Sequence, residues 1–132
     1  MKIFIKHKTF ILMAAILLIC TLAIAANTRF ITATGTGVIA TAVNPGSPWQ
    51  IEGIRLHLSA VGGVGNLTIT VDHGTGAAYD AVLLTQDMTA VTDLVWSPER
   101  PMQFPAGTEV DISYANANGR TFGLEVIYTP LF

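Results

Sequence analysis

Beyond its N-terminal segment, the chain consists of short runs in which apolar and polar residues alternate, and glycine or proline closes each run. The clearest run places Ile54, Leu56 and Leu58 on one side and Arg55 and His57 on the other. A period of two is that of a β-strand, whose successive side chains point to opposite faces. The pattern therefore predicts strands with one buried and one exposed face.

The runs recur at intervals of about ten residues, which is typical of a β-sandwich. We expect a single antiparallel β-sandwich over residues 26–132, with eight or nine short strands and a jelly roll as the specific form. At Gly53 the alternation changes phase, which predicts a β-bulge. The runs are 29–34, 38–43, 49–60, 67–72, 79–85, 91–96, 102–104, 110–114 and 122–128.

Pairing and burial can be predicted for some of these runs. Residues 54–60 and 67–72 each have one apolar face and are joined by the glycine-rich residues 61–65, so we expect an antiparallel hairpin with a flexible connection. Residues 79–85 are apolar with little alternation, which is typical of a strand covered on both faces. Residues 102–104 lie between two prolines and belong at a sheet edge.

The N-terminal segment has the layout of an export signal. Three lysines precede an apolar run over residues 10–26, which contains the triplet Ala23-Ile24-Ala25. The pattern predicts a hydrophobic helix in residues 1–25, either a signal peptide cleaved after Ala25 or an uncleaved membrane anchor. The run has 17 residues and rises about 25 Å as a helix, at the short limit for a bilayer, which favours cleavage.

The charge of the remaining chain limits its partners. Lys2, Lys6 and Lys8 all lie in the N-terminal segment, so four arginines face nine acidic residues elsewhere, a formal charge of −5. An acidic surface without basic clusters releases few phosphate counterions, so we expect no nucleic acid partner. We expect export to the periplasm, the cell exterior or a virion surface, with membrane contact only through residues 1–25.

Catalytic and metal-binding motifs are not found in the sequence. Ser59 and His57 lie on one face of one strand, about 7 Å apart, which is too far for a hydrogen bond. Cys20 is the only cysteine and lies in the N-terminal segment, and a zinc site needs more ligands than His57 and His73 supply. We expect a protein that is not an enzyme and that has no cofactor.

Four aspartates in or near loops leave two interpretations open. Calcium accepts oxygen ligands in a flexible geometry, so these side chains are candidates for a structural calcium site. Turn and strand-end aspartates also accept hydrogen bonds from nearby backbone N–H groups, which is the favoured interpretation. The four residues are Asp72, Asp80, Asp87 and Asp93.

Trp49 and Trp96 are the candidate binding residues. Both lie near strand ends, where an indole either stacks on a sugar, contacts another subunit or packs in the core. Tyr114 and Tyr128 share the phase of apolar neighbours, which predicts core packing. We expect a homo-oligomer with Trp49 or Trp96 in the contact, because a small domain without disulfides gains stability from association.

Residues 49–128 have a further likeness, carried by the stretches IRLHLSAVGGVGNLTITVD, GAAYDAVLLTQDMTAVTDLVW and PERPMQFPAGTEVDISYANANGRTFGLEVIY. This region resembles small, poorly characterised proteins encoded among the virion genes of tailed phages. The resemblance implies a structural or accessory virion role, with other virion or cell-surface proteins as partners and no active-site residues. An exported glycan-binding module is the alternative hypothesis, based on the export signal and the two tryptophans.

Overall fold

Nine β-strands and one 3₁₀ turn (Ala77–Tyr79) form the part of the chain that the computed structural model describes, residues 27–131. No helix within that range is long and apolar enough to cross a bilayer. The predicted N-terminal helix, the fate of residues 1–25 and Cys20 lie outside the described residues. The strands are β1 (Arg29–Gly35), β2 (Ile39–Val43), β3 (Trp49–Leu58), β4 (Asn66–Asp72), β5 (Ala81–Asp87), β6 (Asp93–Trp96), β7 (Met102–Phe104), β8 (Glu109–Tyr114) and β9 (Phe122–Pro130).

The strands form two antiparallel sheets, which confirms the all-β prediction. The first sheet has the order β1–β9–β3–β6, and β7 pairs with β3 on the same edge as β6. The second sheet has the order β2–β8–β4–β5. The pairs are nested along the chain, because β1 meets β9, β2 meets β8, β3 meets β6 and β7, and β4 meets β5.

Alternation along the strands explains where the core lies. In β9, Leu124 and Val126 are buried and their neighbours are half-buried, and β8 buries Ile112 in the same way. Tyr114 and Tyr128, predicted for the core, are 1% and 8% exposed. Inward side chains of both sheets join in one apolar cluster. Each large aliphatic side chain buried there stabilises the fold by about 1.5–3 kcal/mol.

The bulge predicted at Gly53 is confirmed. Ile51 and Gly53 face consecutive residues of β9, so Glu52 is the extra residue. The shift of phase keeps both Ile51 and Ile54 in the core. A Cβ atom on Gly53 would lie 2.9 Å from the Trp96 carbonyl oxygen, so β6 approaches closely only because this residue is glycine.

The predicted hairpin of β3 with β4 is wrong. β3 pairs with β9, β6 and β7 in the first sheet, whereas β4 pairs with β5 and β8 in the second. Each of these two strands has one apolar face, and the faces meet across the core instead of lying side by side. Alternation fixes which face of a strand is buried, but it does not fix which strand lies beside it.

The connection between β3 and β4, which we expected to be flexible, is held by hydrogen bonds. The Gly62 N–H donates to the Val91 carbonyl at 2.9 Å. The buried Tyr114 hydroxyl accepts from the Gly63 N–H at 2.9 Å and donates to the Gly63 carbonyl at 3.1 Å. A Cβ atom on Gly62 would lie 2.5 Å from the Met88 carbonyl oxygen. These glycines therefore serve close packing.

Asn116 joins the loops at the same end of the sandwich. It is 3% exposed and has a φ of 45°, in the left-handed region that asparagine tolerates better than most residues. Its Nδ2 donates to the carbonyls of Gly37 at 2.9 Å and Arg120 at 2.8 Å, and lies 3.3 Å from the Thr36 carbonyl oxygen. Its Oδ1 accepts the Arg120 N–H at 3.1 Å.

Strand β5 lies at the open edge of the second sheet, so the expectation that it is covered on both faces is wrong. Val82 is 61% exposed, and Tyr79 in the preceding turn is 66% exposed. The register with β4 shifts at Leu83, which is the extra residue of a second bulge. Leu83 and Leu84 both pack against the core as partly buried residues. The apolar run thus belongs to a half-covered edge strand.

Candidate functional site

Trp49 packs in the core. Its side chain is fully buried, with ring centroids 5.0 Å from Phe104 and 6.0 Å from Tyr128. Within residues 27–131 its Nε1 has no hydrogen-bond partner, an arrangement that costs about 1–3 kcal/mol for a buried donor. The indole therefore has no exposed face on which a sugar or a second subunit could stack.

Trp96 lies at the open side of the sandwich and is half-buried. It ends β6, where Ser97 and Pro98 lead the chain away from the sheet. A shallow depression of about 360 Å³ opens beside it. The residues that line the depression are Leu83, Trp96, Ser97, Pro98, Glu99, Arg100 and Met102.

Both sheets contribute to this Trp96 depression. Leu83 comes from β5, the edge strand of the second sheet, and Met102 from β7 at the edge of the first. The bulge in β5 turns Leu83 toward the core, and Pro98 and Pro101 hold the connection between β6 and β7 away from a regular strand. Glu99 and Arg100 lie in that connection, so the apolar floor has a charged rim.

Exposed apolar side chains flank the Trp96 depression along the chain. Tyr79 and Val82 precede Leu83 and are 66% and 61% exposed. Val95, which precedes Trp96, instead points to the outer face of the first sheet and lines a separate depression there. Large apolar residues exposed together on a small protein are typical of an interaction site. From the sequence we identified Trp96 as a candidate but missed Val82, because the run around Val82 suggested burial on both faces.

A second depression lies on the outer face of the first sheet, above Gly123. His57 Nδ1 lies 2.7 Å from Asp93 Oδ1, and Arg55 Nη1 donates to Glu125 Oε2 at 3.1 Å. The cavity of about 480 Å³ forms because Gly123 adds no side chain between β1 and β3. The His57 and Asp93 side chains are both 67% exposed, so water competes for these contacts and the pair adds little stability.

His57 and Ser59 were weighed together in the sequence as a catalytic pair, but in the structure each side chain has a different hydrogen-bond partner. The Ser59 hydroxyl oxygen accepts the Thr121 N–H at 3.1 Å, next to the contact between His57 and Asp93. The pairing of His57 with Asp93 was missed because the residues are 36 positions apart and meet only through the register of β3 with β6. The alternation of polar and apolar residues in one strand does not show which strand lies beside it.

Three carboxyl groups lie together on the outer face of the second sheet. Asp72 faces Glu109 across the β4–β8 pair, and ligand atoms of these two residues and Asp111 lie within 4.8 Å of one another. Burial and the charges of Asp111 and Asp72 raise the pKa of Glu109 above its ordinary value. The alternation of β8 placed Glu109 and Asp111 on one face, a signal that could have found them.

The aspartates considered for calcium have separate surroundings. Asp72 Oδ1 accepts the Gly74 N–H at 2.6 Å, and Asp87 Oδ1 accepts the Thr89 N–H at 2.9 Å. The hydrogen bonds from Thr89 lower the pKa of Asp87. Among the four, only Asp72 belongs to the carboxyl cluster within the described residues. Local turn contacts of the favoured kind are thus present at Asp72 and Asp87.

No model of a known protein family matches this chain, and no curated protein sequence matches it either.

Proposed function

We propose that this protein is a structural or accessory protein that acts by association and not by catalysis, in the manner of the virion proteins that its sequence resembles. The observation that carries the proposal is the Trp96 depression, with the exposed Val82 next to Leu83 of its lining. An apolar centre with a polar rim is the usual layout of a protein interface, and tryptophan and arginine are the residues that most often dominate binding there.

The strand order supports the proposal through the fold it indicates. The nested pairs form one long antiparallel ribbon, wrapped so that successive pairs fall in alternate sheets. This arrangement favours a jelly roll, in which β6 and β7 together would occupy one strand position. Jelly rolls occur in viral capsid and lectin domains, so both of our hypotheses are compatible with this fold.

The virion proposal is tested on purified particles. Mass spectrometry should find the protein at a fixed ratio to the major virion proteins, and electron microscopy with a specific antibody should locate it on the particle. The Trp96→Ala variant should still fold and should bind particles at least tenfold more weakly, while Val64→Ala, at an 85% exposed position in another loop, should bind normally. Particles that lack the protein would overturn the virion role.

A glycan-binding function is the second candidate, and the surroundings of Trp96 favour it. A half-exposed indole beside Glu99 and Arg100 offers a stacking face and charged groups that bind sugar hydroxyls. A glycan array with the full chain should show binding that Trp96→Ala removes. If Trp96→Ala leaves the detected binding unchanged, the stacking mechanism is wrong.

Export is part of the proposal, with residues 1–25 as the signal. The lysines and the apolar run support a cleaved signal over an anchor. Intact-mass measurement of the protein isolated from its host should give a chain that begins at Ala26. A chain that keeps residues 1–25 and fractionates with membranes would establish the anchor instead.

A further inference from the structure

The two sheets have four open edges within the described residues, and three of them carry features that hinder the addition of another strand. β5 contains the bulge at Leu83, and the edge formed by β6 and β7 is interrupted by Pro98 and Pro101. β2 has five residues and is followed closely by Pro45. Bulges, prolines and short strands are the usual means by which proteins protect their sheet edges.

The fourth edge, β1, has no such feature. Its seven residues pair with β9 in unbroken register, and they include no proline and only one charged residue, Arg29 at the first position. Within residues 27–131 nothing pairs with the other side of β1. A regular strand with a free row of backbone N–H and C=O groups is a template for a further strand.

On the side of the sandwich that contains β1, the two edge strands have one charged residue, Arg29 at the start of β1. A three-residue loop joins β1 to β2, so the two edge strands lie on the same side, and residues 30–51 contain no charged residue and no histidine. All nine acidic residues of the chain lie elsewhere. Two copies of so acidic a protein repel each other over most orientations, and on this β1–β2 side, where Arg29 is the one charged residue of the two edge strands, they can approach without bringing carboxylates together.

Apolar side chains on the β1–β2 side are only partly covered. Phe30 is 56% exposed on the outer face of β1, and Val38 is 65% exposed beside the start of β2. Ile31 and Ala33 point inward and pack against the core, but remain half-buried because no strand lies beyond them. A strand placed alongside β1 would cover these side chains as well as the free backbone groups.

The surface area that the β1–β2 side can bury is sufficient for a weak dimer. Seven residues at about 3.3 Å each span roughly 23 Å, and two sheets about 10 Å apart with their side chains give a side roughly 20 Å wide. The contact would bury on the order of 900 Å² in total, below the roughly 1,200 Å² at which standard stable complexes begin. A strand edge is complementary to itself when a two-fold axis makes the pairing antiparallel.

We propose that β1 pairs antiparallel with β1 of a second copy, which joins the two β1–β9–β3–β6 sheets across a two-fold axis into one continuous sheet. This proposal rests on the association put forward as the function, and it names a surface for the homo-oligomer expected from the sequence. It assigns the contact to the side opposite Trp96, so that the Trp96 depression stays free for another partner.

Sedimentation equilibrium of the purified chain tests the proposal, in density-matched detergent if mass spectrometry finds residues 1–25 attached. We expect a monomer–dimer equilibrium in the micromolar range. Thr34→Lys should weaken dimerisation at least tenfold, because Thr34 is exposed on β1 beside Gly123, where a lysine fits without disturbing the fold. The matched control is Thr85→Lys, at an exposed position on β5, which should change the dissociation constant less than twofold.

Hydrogen exchange provides a measurement that does not depend on a variant. Amides of β1 that face away from β9 should gain protection as the protein concentration rises, and amides of β5 should not. A monomer at all concentrations, or a dimer that Thr85→Lys disrupts and Thr34→Lys does not, overturns the proposal. Protection of β1 that is independent of concentration would show that residues 1–25 cover the edge instead. None of these results alters the particle test, so the two proposals can fail separately.

Discussion

The connection between β3 and β4 shows how single atoms restrict the residues that the fold accepts. A Cβ atom on Gly62 would clash with the Met88 carbonyl oxygen. The Tyr114 hydroxyl forms hydrogen bonds with both backbone polar groups of Gly63, so one side-chain group serves as the partner of both. Buried backbone groups need such partners, because leaving them unpaired costs as much as a lost hydrogen bond.

Gly62→Ala should therefore destabilise the protein by about 1–3 kcal/mol, the usual cost of overpacking against groups that cannot move. The Met88 backbone is the obstacle, and Met88 itself is fully buried. Urea unfolding measures the change. Gly37→Ala, where nothing lies within 4 Å of the added Cβ, is the control and should change the free energy of unfolding by less than half as much. Equal effects would contradict the close approach.

Tyr114→Phe should lower the free energy of unfolding by about 1–3 kcal/mol, because it leaves the Gly63 N–H and carbonyl without their partner. Tyr79→Phe is the control, since Tyr79 is 66% exposed. Hydrogen exchange at Gly63 should speed up in Tyr114→Phe alone. Unchanged exchange at Gly63 would show that the hydroxyl does not hold this segment.

Among the elements, the pair of β4 with β8 combines strong core packing with unfavourable surface charge. Ile69 and Val71 of β4 face Ile112 and Val110 on the buried side. On the outer side Asp72 faces Glu109, with Asp111 nearby. Like charges placed directly opposite each other destabilise a strand pair. The buried face thus stabilises the β4–β8 pair, and the outer face destabilises it.

Glu109→Gln should stabilise the protein by about 0.2–1 kcal/mol at pH 7, because it removes this repulsion. Because the pKa of Glu109 is raised in the folded protein, protonation of this carboxyl group favours the folded state. Its contribution to the free energy of unfolding is complete below the pKa of the unfolded chain and is lost as the pH rises through the pKa of the folded protein. The gain from Glu109→Gln should therefore appear above the ordinary value of 4.5 and vanish in more acidic solution. Thermal unfolding between pH 3 and pH 7 measures it, with the exposed Glu52→Gln as control. A gain that persists at pH 3 would rule out this cause.

The elements themselves could largely be predicted from the sequence, and their pairing could not. Alternation and turn residues located every strand to within a few positions, including the bulge at Gly53, because these signals are local. The partner of β3 depends on how the whole chain wraps, which no local pattern records. For the same reason Trp96 was named from the sequence, whereas the contact of His57 with Asp93 and the exposure of Val82 appear only in the fold.

At the scale of the whole molecule, β9 has a central position although it comes last of the nine strands. It lies between β1 and β3, so it completes the pairing of the first and of the longest strand among residues 27–131. The two sheets share one core, and loss of β9 would expose the first sheet as two separate parts. Stability is thus a property of all nine strands together.

A chain that ends at residue 121 should consequently fail to fold. We expect it to lack the near-ultraviolet circular dichroism of the packed Trp49 and to show no cooperative unfolding transition. Removal of residues 1–26 is the control and should leave both signals, because every strand of the two sheets lies beyond that point. Cooperative unfolding of the chain ending at residue 121 would contradict a central role for β9.

The late position of β9 also governs what the chain can do while it is being made. Until residues 122–130 have left the ribosome, β1 and β3 have no common neighbour and the first sheet cannot close. Synthesis at about 5–20 residues per second leaves the earlier strands without that neighbour for seconds. A chain in this state is still thin enough to thread through a membrane pore. Under the export that we propose, the wrapping of the strands would thereby give a secretion machinery time to capture the protein before it folds.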